Sequence, residues 1–198
     1  MNLTRHGTIW IPDCTERVKF SGFLRIYDVV ERNGKLARGR LLMGGKNVLT
    51  MNGISRFADL LAGTSTDAIA YFALGDEGHV PGGNLSIPVA PTQEDTDLQH
   101  RLLIGADTQR RVAIGSVASS AYNRRVFTGL ILTADVSDYS GTAILNEYAL
   151  VLNDDDFDGT DPAFTDGPSI AARKTFPALP FTTVDRVGVQ LEWEVGVK

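Results

Sequence analysis

The stretch VGVQLEWEVG, residues 187–196, decides the fold. Val187, Val189, Leu191, Trp193 and Val195 alternate with Gly188, Gln190, Glu192, Glu194 and Gly196. A strict period of two is the pattern of a strand with one dry and one wet face, whereas a helix would scatter the same apolar residues around its circumference. The apolar character reaches back to Phe181, so the spacing predicts a strand over 181–195.

Working outward, the same kind of segment recurs at 110–119, 125–134, 142–152 and 170–176, each bounded by Gly, Asp, Asn or Pro. Nearer the N-terminus, 23–30 and 36–43 flank Asn33-Gly34, the dipeptide that closes a two-residue hairpin because both positions need positive φ. One segment has helical period. Over 50–63, Thr50 stands as N-cap, Ile54, Phe57, Ala58 and Leu61 share a face, and Gly63 suits a left-handed C-terminal position. Glu or Gln is missing from the capping-box position, which Gly53 occupies. Ala68 to Leu74 reads as a buried strand feeding a long loop, Gly75 to Pro91, rich in glycine and proline; loops of this length more often carry contacts than merely connect.

Short strands separated by turns predict a mainly β, antiparallel β-sandwich, jelly-roll-like, with one short α-helix and an N-terminal hairpin and arm. The organisation expected is an arm and hairpin over 1–45, then a sandwich domain over 46–198 that contains a helix at 51–62. Ile9, Trp10, Ile11 and Phe20 would be awkward on a loose terminus, so 1–22 reads either as an intersubunit arm or as a segment packed on its own domain.

The chain has 198 residues, 43% apolar and 22% charged, which is ordinary folded composition. Its net charge of −5 is spread along the sequence with no basic stripe, so nucleic acid is not an expected partner. No window is apolar enough for a membrane helix, and the first twelve residues lack the pattern of a signal peptide. Cys14 is the only cysteine, so no intrachain disulfide can form, as fits synthesis in a reducing cytosol.

Catalytic signatures are missing from the sequence. His6, His79 and His100 have no second ligand at zinc spacing, and there is no nucleophile elbow, phosphate loop or dinucleotide fingerprint. Asp76 and Glu77, beside Gly78 and His79 at a strand end, are the best acid–base candidates, but Gly-Asp-Glu-Gly is equally a turn sequence. Asp154, Asp156 and Asp158, followed by Gly159, have the spacing of the first half of a calcium loop, which makes calcium the candidate ion. Thr165 stands where a bidentate Glu belongs. Asp161, Asp166 or another chain would have to complete the site, and a solvated acidic turn explains the stretch as well. Arg101, Arg110, Arg111, Arg124 and Arg125 read as solvated strand ends and intersubunit ion pairs rather than an anion site. Trp10 and Trp193 read as core or interface anchors. The expectation is a protein without enzyme activity.

Lys46-Asn47-Val48-Leu49-Thr50 with Gly53, then Ala70 to Asp76, Pro91-Thr92, Asp95 to Leu98, Leu145 to Leu150, Ala172 to Pro177 and Leu191-Glu192-Trp193 follow in an order that resembles tailed-bacteriophage virion proteins. The resemblance spans 46–195 and omits the first hairpin and the aspartate-rich stretch. It implies a structural protein of the virion, either a capsid decoration protein or an accessory of neck, tail or baseplate. It also implies other virion proteins, and further copies of itself, as partners. A carbohydrate-binding module for host attachment, motivated by the long loop, is the alternative.

Overall fold

A computed structural model of the chain describes residues 20–64, 68–106, 110–153 and 170–197. Two five-stranded sheets carry the fold, with every pairing antiparallel. The first runs β2 (Lys35–Lys46), β1 (Phe20–Arg32), β12 (Gly188–Val197), β8 (Arg124–Leu132), β7 (Ser116–Ala121). The second runs β3 (Val48–Leu49), β11 (Ile170–Pro180), β10 (Ile144–Leu152), β4 (Ile69–Gly75), β6 (Val112–Ala113). A separate small ladder joins β5 (Leu103–Ile104) to β9 (Val136–Ser137). The mainly β, sandwich-like fold with one helix that the sequence predicts is the fold observed.

The inner faces of the sheets meet in one apolar cluster. Leu24 and Ile26 of β1 and Val189, Leu191 and Trp193 of β12 pack with Phe72 and Leu74 of β4 and Tyr148 and Leu150 of β10. The alternation in 187–196 therefore means what it says from Val189 onward, since Val189, Leu191 and Trp193 are fully buried. Gly129 of β8 marks a close approach between the sheets: a Cβ there would lie 2.7 Å from the Phe72 ring.

The hairpin forms as expected, with Asn33 at φ 54° and Gly34 at φ 70° linking β1 to β2. β1 also pairs with β12 from Phe20↔Val197 to Val29↔Gly188, so the hairpin shares its sheet with the C-terminal strand.

The helix α1 spans Met51–Ala62 between the expected caps. Thr50 Oγ1 accepts from the Gly53 N–H and donates to the Ile170 carbonyl, so it both caps the helix and ties it to β11. Gly63 closes the helix at φ 69°. Gly53, which cannot complete a capping box, has another duty: a Cβ at this position would sit 2.1 Å from the Ala171 carbonyl oxygen. The helix lies directly on the backbone of β11.

Three boundaries differ from the sequence expectation. Residues 181–187 form a turn before β12: the Asp185 and Arg186 N–H groups both bond the Thr182 carbonyl, and Thr182 Oγ1 donates to the Asp185 carboxylate. Local side-chain bonding of this kind competes with a ladder. Buried Phe181 is a plug rather than a strand residue. The stretch 110–119 breaks at Ile114-Gly115 into β6 and β7, which belong to different sheets. The strand expected to stop at Phe176 continues through Pro177 to Pro180, accommodated by a bulge of its own, in which Thr175 to Leu179 span the same length as Leu145 to Glu147 of β10.

Candidate functional site

All nine residues of β10, including Asn146 and Glu147, are buried. One side of the strand faces the core. On the other, Ala149 and Val151 pack with Ala73, Ile170 and Leu98, the last carried by the connection that runs from β4 to β5. That connection holds the long loop predicted from the sequence, and a buried polar network fixes it to the sheet.

Glu147 is the hub. Its carboxylate accepts from Arg173 Nη2 at 2.6 Å and from the backbone N–H groups of Gln99 at 3.2 Å and His100 at 3.1 Å. Arg173, buried on β11, donates through Nη1 to Asp95 at 2.8 Å, and Asp95 in turn accepts from the Thr92 N–H and hydroxyl. Gly75 gives the carboxylate its space, because a Cβ there would fall 2.4 Å from Glu147 Oε1. Burial pushes the Glu147 carboxyl up, and Arg173 and the two N–H groups offset part of this; the net shift is upward. Burial would lower the Arg173 guanidinium, but Glu147 and Asp95 outweigh it and hold the group above its ordinary value. A buried charge left alone would cost several kcal/mol, on the order of 3–5, so the network is self-consistent only as a whole.

A second cluster lies at the loop's base. The Asp76 carboxylate, buried at the end of β4, meets His100 Nδ1 at 2.7 Å and accepts from the Ser140 N–H at 2.6 Å and hydroxyl at 2.9 Å. The far side of the His100 ring faces Asp138, 4.0 Å from Nε2, and Asp138 is itself paired with Arg110 at 2.5 Å. Both members of that pair have positive φ, 52° for Arg110 and 64° for Asp138. The hydrogen bond to Asp76 raises the His100 pKa; burial opposes this, and the charges of Asp76, Glu77 and Asp138 add to the rise. Asn146, at the register shift in β10, accepts from the Gly78 N–H at 2.7 Å and lies 2.9 Å from His79 Nδ1 through its amide nitrogen. Between the clusters opens a cleft of about 250 Å³ rimmed by Asp76, Glu77, His79, Gln99, Ser140 and Thr142.

The acid–base candidates thus find different fates. Asp76 is not a free turn residue but a fully engaged buried carboxylate, while Glu77 is exposed. His79 and His100 come to opposite walls of one loop. An Asp–His pair next to a serine resembles part of a catalytic triad, but Ser140 Oγ bonds the aspartate rather than the imidazole, so the base does not face the nucleophile. The arginines disperse. Arg124 pairs with Glu194, Arg125 donates to Ser119 Oγ, and Arg111 stacks over the Tyr71 ring at 4.0 Å. Arg101, expected on a solvated strand end, is instead buried against Asp97 at 2.7 Å, because the 97–101 segment folds under the loop. Trp193 is in the core.

Asp154, Asp156 and Asp158, with Asp161, Thr165 and Asp166, lie outside the described residues, as do His6, Trp10 and Cys14. Among the described residues, no group of His, Cys, Asp and Glu is arranged to hold a metal ion, and no helix is long and apolar enough to cross a membrane. Glu147 and Arg173 were not singled out as a site from the sequence. Their signal was there: one carboxylate inside the apolar run 144–152 and one guanidinium inside 170–176, opposite charges in two strands that each read as buried.

The chain matches no protein-family model, no curated protein and no solved structure.

Proposed function

We propose that this chain is a non-enzymatic structural protein of a tailed-phage virion, a capsid decoration protein or a neck, tail or baseplate accessory that works through subunit contacts. One observation carries the reading. The residues behind the resemblance to virion proteins are framework residues here: Thr50 and Gly53 seat α1 on β11, Asp95, Glu147 and Arg173 form the buried network, and Asp97 holds Arg101. These polar groups are engaged in fixing a long loop and a helix to a sheet, which leaves strand edges and loop tips as the working surface.

A glycan-binding module would need an aromatic face for stacking against sugar rings. The cleft under the loop is rimmed by carboxylates, an amide, hydroxyls, the His79 imidazole and small or aliphatic residues, with no Phe, Tyr or Trp among its described lining. This supports assembly over sugar recognition.

Fractionating phage particles and blotting for the chain is the test. Stoichiometric recovery with capsids or with tails is expected and assigns the placement between them. Recovery only in the soluble fraction of infected cells, with no copies in purified particles, would refute the proposal.

A further inference from the structure

Charge is not shared evenly between the elements of this fold. The hairpin of β1 and β2, residues 20–46, carries six cations against two carboxylates, while the other 171 residues carry thirteen against twenty-two. A molecule of net charge −5 therefore has a basic edge, because β2 is the outermost strand of its sheet. Beyond the last pairing with β12, at Val29↔Gly188, the hairpin runs on through Val30↔Ala37, Glu31↔Leu36 and Arg32↔Lys35. Its tip reaches past β12, and residues 31–36 are all exposed.

Two of the six cations are already engaged. Arg25 pairs with Glu194 and lies over the Phe23 ring, and Arg38 pairs with Glu192 and lies over the Tyr27 ring. These contacts use the carboxylates that β12 offers. Arg32, Lys35, Arg40 and Lys46 are exposed, and none of them meets a carboxylate among the described residues. Leu36 and Leu41, 44% and 53% exposed, are interleaved with them along β2.

We propose that this hairpin docks a carboxylate-bearing patch of a different protein, with Arg32, Lys35, Arg40 and Lys46 meeting the acids and Leu36 and Leu41 seated on apolar groups between them. The mixture of side chains selects the class of partner. Arginines beside exposed apolar residues suit a protein interface, where an apolar centre is ringed by charge. A phosphate backbone has nothing to cover two leucines, and a long polyanion would run on from the hairpin over the acidic remainder, which repels it. A compact acidic patch stays on the hairpin, because exposed charges more than about 8–10 Å away are screened at physiological salt. A second copy is poorly suited to supply the patch, since Asp76, Asp95, Asp97, Glu147, Glu192 and Glu194 are each already paired. The ladder between β1 and β2 shifts register twice, which keeps the edge from adding a strand, so the contact is made through side chains.

The inference rests on the proposed role in subunit contacts for its setting, but the surface is tested on the purified full chain. Fluorescent poly-glutamate and a glutamate–tyrosine copolymer of equal charge are the probes, titrated with the chain and followed by anisotropy at two salt concentrations. Both are expected to bind, the copolymer more tightly, and both to weaken as salt rises. Reversing three free cations together, Arg32→Glu with Lys35→Glu and Arg40→Glu, should raise Kd by roughly tenfold or more while circular dichroism shows the fold intact. Leu36→Ser with Leu41→Ser should erase the preference for the copolymer. Failure to bind either probe, a Kd untouched by the reversal, a copolymer preference that is absent or survives the leucine variant, tighter binding to a DNA duplex of the same charge, or self-association that the reversal abolishes would each overturn the proposal. If particles contain the chain and charge-reversed copies enter them as readily, this surface fails alone. A chain absent from particles that still binds the copolymer through the hairpin would sink the virion reading alone.

Discussion

Glu147 and Arg173 sit on adjacent strands with Oε2 and Nη2 2.6 Å apart, both side chains buried. Through the backbone of Gln99 and His100 on one side and Asp95 on the other, the pair secures both halves of the 91–101 segment. Replacing Glu147 by Leu is expected to lower stability by about 3–5 kcal/mol, since Arg173 then keeps only Asp95 inside a dry site. Arg173→Met should cost a similar amount. The double variant should lose much less than the sum, a difference readable as a coupling energy in urea unfolding. Additive losses would mean that the two charges do not depend on each other.

Glycine in a helix interior normally disfavours the helix by about 1 kcal/mol relative to alanine. Gly53→Ala should nevertheless destabilise this protein, by about 1–3 kcal/mol, because the added methyl meets the Ala171 carbonyl oxygen. A thermal melt of the variant decides the sign; a raised melting temperature would show that α1 can lift off β11 at no cost.

Gly129→Ala tests the spacing of the two sheets. Its Cβ would press on the Phe72 ring, and a loss of about 1–3 kcal/mol is expected. Adding Phe72→Leu should give less than additive damage, since the smaller side chain frees the space the methyl needs. Chemical denaturation of the single and double variants provides the measurement.

His100 gives the fold a pH dependence of defined sign. Its folded pKa is raised above 6.5 by the bond to Asp76 and the surrounding carboxylates Asp76, Glu77 and Asp138, while Arg110 Nη1 lies 3.4 Å from Nε2. A raised value means that the stabilisation by protonated His100 is complete below the ordinary imidazole value and fades as pH rises through the folded one. As pH rises from below the ordinary imidazole value through the raised folded one, the wild type should therefore lose melting temperature relative to His100→Gln. Parallel curves for the two proteins would show that the imidazolium contributes nothing.

What could be read from the sequence followed from residues whose neighbours in the chain determine their state. The period of two in 187–196, the Asn33-Gly34 turn and the Thr50 to Gly63 caps all reappear in place, because each depends on local backbone preference. Phe181 misled because a buried plug and a strand residue have the same composition. The site was harder to read. Asp76 looks like a turn carboxylate until Ser140, 64 residues away, covers it, and Arg101 looks solvated until Asp97 folds it under the loop. Glu147 and Arg173 could have been paired in advance by noting that one apolar strand carries a lone carboxylate and another a guanidinium, with Lys174, next in the chain, on the opposite face. Their bonds to Gln99, His100 and Asp95 depend on a tertiary crossing that has no local signature.

The central place of β12 has a consequence for how the protein is made. The β1–β2 and β7–β8 hairpins are local in sequence and can form as soon as each leaves the ribosome, but within the sheet they never touch each other: β12 stands between them. It also follows both hairpins in the chain. Without residues 188–197 in place, the first sheet would be two separate ribbons with open apolar faces, a state prone to pairing with the wrong chain. Trp193 and its neighbours join the two ribbons into one sheet, and a chain halted short of β12 would leave the inner faces of both exposed.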